Sequence, residues 1–233
     1  MQEIDLRPTS RRNFLGALAT TTAALSVTSI AAPLSAGAKT FSQNLHKDDD
    51  PEEWFKQLKG KHKMVFDVTQ PHEVLPFAWP RVFLMTNEAT GTVEKDTNAV
   101  VVLRHSAIPY AMENRLWEKY KFGEAFKIND HLTNAAAIRN PFWQPKAGDF
   151  KVPGIGNVAI GINELQKSGV LFCVCDVALT VNSAGMAQGM NADAAAIKKD
   201  WVSGLLPGIQ VVPSGVWAIG RAQEHGCAYC FAG

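Results

Sequence analysis

Gly169-Val-Leu-Phe-Cys-Val-Cys-Asp176 decides how the rest of the chain is read. A short apolar run between a glycine and a polar residue predicts a strand buried on both faces. Side chains alternate along a strand, so Cys173 and Cys175 are expected on the same side. Cys175 ends the run just before a helix-like segment. In open parallel sheets the carboxyl edge of the strands is where ligands bind. Asp176 is expected to cap the following helix, which leaves the Cys175 thiol near a helix N-terminus, where a thiolate is favoured. Cys175 is therefore the candidate reactive atom.

Outward from this run, strands and helices alternate. Residues 63–68, 99–103, 209–212 and 226–231 read as four more strands. Helix-like segments fall at 71–91, 111–120, 158–167, 177–190, 192–204 and 216–224. Pro76 and Pro80 interrupt the first of these, Gly185 and Gly189 weaken the fourth, and Asp193 stands near the start of the fifth. Met112, Leu116 and Tyr120 sit at four-residue spacing, as on an amphipathic helix. Strand and helix in this order predict an α/β fold: three layers, with a mostly parallel five-stranded sheet covered on both faces. Residues 123–154 form an insertion, rich in proline and aromatics around Phe142 and Trp143. It reads either as a lid or oligomer contact, or as an excursion packed onto the domain.

The 233-residue chain carries a net charge of +1, with 46% hydrophobic and 19% charged residues. That balance makes no electrostatic case for nucleic acid as a partner. Thr9-Ser-Arg11-Arg12-Asn-Phe-Leu15 precedes a weakly apolar segment, and Ala36-Gly-Ala38 follows it. The pattern matches a twin-arginine export signal cleaved after Ala38. The segment is too short and too rich in Thr and Ser for a permanent membrane span. A periplasmic or exported protein is expected, in an oxidising space where four cysteines can pair. Residues 39–60, with an acidic run from Asp48 to Glu53, read as a linker.

From about residue 163 to the end, the chain resembles the DsrE/DsrF-like sulfur-relay proteins. The resemblance rests on Leu165-Gln-Lys-Ser-Gly-Val-Leu-Phe-Cys-Val-Cys175, Leu206-Pro-Gly-Ile-Gln-Val-Val-Pro-Ser-Gly-Val216 and Ala222-Gln-Glu-His-Gly-Cys-Ala-Tyr229. It implies a small parallel sheet of DsrE/flavodoxin-like type, assembly into oligomers, and a cysteine that carries persulfide sulfur. By position that cysteine is Cys175. The chain departs from the pattern in its export signal, its insertion and the extra cysteines 173, 227 and 230.

Three readings of the chemistry stand side by side. In the first, Cys175 is a sulfur acceptor or redox thiol that meets a sulfur compound or a partner's thiol. Cys173 resolves the product, and His105 or Arg104 tunes the thiol, Arg104 as an anion binder. In the second, the protein is a non-catalytic homo-oligomeric binding module with an apolar face around Phe142 and Trp143. In the third, cysteine and histidine bind copper or zinc, with Cys227 or Cys230 among the ligands. Cys227 and Cys230 are three apart on a strand and so face opposite sides, which argues against a mutual disulfide. Tyr110, Trp117 and Trp143 supply apolar walls.

Overall fold

Five runs rich in β-branched and aromatic residues assemble into one sheet. They are β1 (His62–Val68), β2 (Thr97–Leu103), β5 (Leu171–Cys175), β6 (Ile209–Val212) and β7 (Ala228–Phe231). The computed structural model describes residues 50–233. The expected export signal, with Arg11, Arg12 and the cut after Ala38, lies outside the described residues. The strand order is β6-β5-β2-β1-β7, and every pairing is parallel. Such a sheet needs helical crossovers on its faces. The chain supplies them, and the expected three-layer α/β architecture is what forms.

The two faces are unequal. One is covered by α2 (Leu75–Ala89), a 3-10 turn (His105–Ala111), α3 (Asn114–Tyr120), α6 (Asp176–Met190) and α7 (Ala194–Ser203). Its core holds Phe77, Tyr110, Trp117, Phe172 and Trp201, all buried. The opposite face is covered by α1 (Pro51–Phe55) and α8 (Gly215–Glu224) around Phe55, Val65, Val102, Cys173 and Ala218. Phe55 is fully buried, so residues from Asp50 onward belong to the domain and the linker expected up to residue 60 is shorter. Asp50 caps α1 by accepting the Glu52 N–H at 2.9 Å.

Pro76 and Pro80 do not break α2. Pro76 lies in the first turn, where a missing N–H costs nothing, and both rings are buried against the core. The helix expected at 111–120 is divided: Met112 bridges to Leu205, and α3 starts two residues later. The helix expected at 158–167 keeps only α5 (Ile162–Lys167).

The insertion resolves in favour of packing. α4 (Phe122–Ala125) stands at its start, and at its end β3 (Lys151–Val152) pairs antiparallel with β4 (Gly156–Asn157), which lies just beyond it. Phe142 is buried, its ring centroid 4.2 Å from Phe77, 5.0 Å from Phe150 and 5.5 Å from Tyr110. Buried Asn140 donates to the carbonyls of Tyr110 and Met112 at 2.9 and 3.0 Å. An apolar contact face around Phe142 is therefore not available at the surface; Phe142 is core, and Trp143 packs partly buried against it. Among the described residues no helix is long and apolar enough to cross a membrane.

Candidate active site around Cys175

The parallel register of β2 and β5 sets Val102 opposite Cys173 and Leu103 opposite Val174. Arg104 keeps an extended backbone, so one further step brings it level with Cys175 at the carboxyl edge of the sheet. Next to β2, Asp67 lies near the end of β1, and Tyr229 comes from β7. Four side chains from four neighbouring strands thus converge on one edge.

Asp67 is 2% exposed and cannot stay ionised there without partners. Arg104 supplies a two-pronged ion pair, Nε to Oδ1 at 2.7 Å and Nη2 to Oδ2 at 2.8 Å. Tyr229 donates its hydroxyl to Oδ2 at 2.9 Å. The hydrogen-bonded Asp67 carboxylate raises the Arg104 pKa above its ordinary value, against the opposing effect of burial. Tyr229 and Cys175 add smaller attractions. Arg104 thus lies within electrostatic reach of Cys175, and its Nη1 lies outside both bonds to Asp67.

The Arg104 stem is pinned from the other side by α8. A Cβ at Gly215 would stand 2.6 Å from Arg104 Cδ and 2.7 Å from its Cβ, so a glycine is what allows this helix to start against the arginine. Ser214 caps α8 through the Trp217 N–H at 3.1 Å.

Cys175 plays a part expected of Asp176. The thiol itself is the N-cap of α6, Sγ accepting the Ala178 N–H at 3.3 Å. Asp176 instead pairs with Lys198 at 2.7 Å. The 15-residue helix α6 presents its positive dipole end to the sulfur. Cys175 retains 6% exposure, whereas Cys173 one step deeper has none. Burial, with a smaller contribution from Cys175, pushes the Cys173 thiol far above its usual range. Cys173 is thus a core residue, without the thiolate a resolving cysteine needs.

His105 follows β2 at the expected edge. It is exposed, with a positive φ of 51°, and its Nδ1 lies 3.3 Å from Ser106 Oγ. Its carbonyl accepts from Asn182 of α6 at 3.4 Å. Among the described residues no hydrogen bond joins the imidazole to Cys175.

Cys227 and Cys230 lie on opposite faces of β7's end of the sheet, as alternation requires: Cys227 is buried in the α8 cluster and Cys230 packs against the other. All four cysteines are free thiols. Among the described residues no three His, Cys, Asp or Glu side chains gather as a metal site.

Asp67, Tyr229 and Gly215 are site residues that the sequence reading missed. Asp67 left a trace: it is the one acid inside the apolar run Met64-Val-Phe-Asp-Val68, and a charge in a buried strand needs a partner. Tyr229 and Gly215 carry no such mark.

No family model matches this chain, and no curated protein matches it. Among solved structures it is similar to the protein of unknown function MTH1491 from Methanobacterium thermoautotrophicum. The two are 18% identical, with a TM-score of 0.38 over 73% of this chain and 98% of that one.

Proposed function

We propose that this is an exported sulfur carrier in which Cys175 takes up sulfane sulfur from a low-molecular-weight or protein persulfide. One observation carries the reading: a thiol at the carboxyl edge of a parallel sheet caps a long helix and stands beside the Arg104 guanidinium, itself held by buried Asp67. The thiolate of Cys175 attacks the terminal sulfur of the donor persulfide. A new sulfur–sulfur bond forms on Cys175, the donor's bond breaks, and the donor leaves as a thiolate with the electron pair. No external oxidant is required, because one sulfur–sulfur bond replaces another. The helix end and Arg104 stabilise the anionic sulfur before and after transfer. The arginine–aspartate–tyrosine network serves to hold Arg104 in place. Export by the twin-arginine route belongs to the same reading, on the N-terminal motif alone.

The test is mass spectrometry of the full chain after exposure to a polysulfide or persulfide donor. Wild type should gain the mass of sulfur on the peptide bearing Cys175, and Cys175→Ser should not. Equal uptake by the variant, or uptake only at Cys230, removes the proposal.

A further inference from the structure

Along α6 lies a cleft of about 1090 Å³, just above the roughly 300–1,000 Å³ typical of small-molecule sites. Its floor is the outer face of α6, where Val181, Gly185, Met186, Gly189 and Met190 follow one another at helical spacing. Val181 and Met190 are 64% and 48% exposed, so this apolar floor meets solvent. The facing wall comes from the end of α3 and the turn after α4, and it carries Lys119, Lys121 and Lys127.

Three features give the cleft a chemical preference. No Asp or Glu lines it, so its field is positive. Lys119 is paired with Asp200 at 2.8 Å, but no carboxylate among the described residues pairs with Lys121 or Lys127. Of the other polar groups, Tyr120 donates to Asp200, Ser106 to the Thr69 carbonyl, and Asn182 to the carbonyls of Ala178 and His105, while Gln70 adds a neutral amide to the lining. The cations left over are those two lysines, both on left-handed backbone with φ of 49° and 56°, a conformation that side chains other than glycine adopt at a cost.

The glycines of the floor point the same way. Gly185 and Gly189 sit inside a helix, where alanine is the more stable residue. A Cβ at either would meet nothing within 4 Å, so no packing inside the chain requires their absence of side chain. Their effect is a smooth trough between flexible methionines, a lining that adapts to hydrocarbon.

We infer that this cleft binds a single anionic amphiphile, its charged head at Lys121 and Lys127 and its hydrocarbon along the Val181–Met190 face of α6. The inference does not rest on the sulfur-carrier reading, because neither Cys175 nor Arg104 lines the cleft.

Dodecanoate is the probe, titrated into the full chain by calorimetry and by displacement of a fluorescent anilinonaphthalene sulfonate. Saturable one-site binding is expected, tightening roughly fourfold per methylene between octanoate and dodecanoate and weakening as salt rises. Dodecanol should bind much more weakly. The double variant Lys121→Gln/Lys127→Gln should weaken dodecanoate by about tenfold or more, since two charge contacts are lost. Gly185→Leu with Gly189→Leu should abolish binding while circular dichroism shows an unchanged fold. Cys175→Ser should bind like wild type, so failure here and failure of the sulfur reading are separable. The inference is overturned by an absence of saturable binding, by affinities unmoved in both double variants, or by a protein that sediments with phosphatidylglycerol vesicles yet ignores monomeric dodecanoate.

Discussion

Cys175 and Cys227 show how two cysteines in one chain come to different surroundings. Cys175 receives a backbone N–H, a helix dipole and a nearby guanidinium. Cys227 lies against the α8 face, and burial pushes its thiol up to about 11, Lys63 opposing the shift. An unfolded thiol titrates near 8.5. Because the folded value is the higher one, Cys227 contributes stability that is fully present below about pH 8.5 and declines as pH rises toward the folded value. Urea midpoints measured from pH 7 to 10 should therefore fall with pH, and Cys227→Ala should make that decline shallower, the buried Cys173 thiol accounting for part of what remains. A decline equally steep in the variant assigns the alkaline loss to other groups.

At the scale of elements, the site depends on how closely α8 meets the end of β2. Gly215→Ala places a methyl group against the root of the Arg104 side chain, where no flexible tip can swing aside. The arginine must then move away from Asp67 and Cys175. Iodoacetamide should alkylate Cys175 several-fold more slowly in this variant, at a stability cost of about 1–3 kcal/mol, typical of overpacking. Unchanged alkylation would mean that Arg104 does not tune the thiol. The same element logic explains α2: a helix carrying two prolines survives because one is at its start and both bury apolar rings.

The whole molecule draws its insertion into the main core. Phe142 and Phe150 stack within a group that includes Phe77 and Tyr110, directly over the sheet. Phe142→Ala should cost about 3–5 kcal/mol, the range for deleting a buried phenylalanine, read as a lowered denaturant midpoint with cooperative unfolding retained. A loss below about 1 kcal/mol would show the insertion to be a detachable flap. The edge strand β7 leaves Tyr229 and Phe231 about half exposed.

What the sequence by itself determined is the alternation of elements and the place of Cys175 at a strand end. Both follow from local signals: apolar runs of strand length, glycine and proline punctuation, and capping residues such as Asp193, which accepts the Ala196 N–H at 2.6 Å. Strand order, register and the fate of the insertion belong to the tertiary structure, because they depend on contacts between residues far apart in the chain. Asp67 and Arg104 are separated by 37 positions and Asp67 and Tyr229 by 162, so no periodicity links them. Their meeting, and with it the charge beside Cys175, exists only once parallel pairing brings the ends of β1, β2, β5 and β7 to one edge. Burial of Cys173, the exposure of His105 and the separation of Cys227 from Cys230 were settled in the same way, by what packs on each face of the sheet.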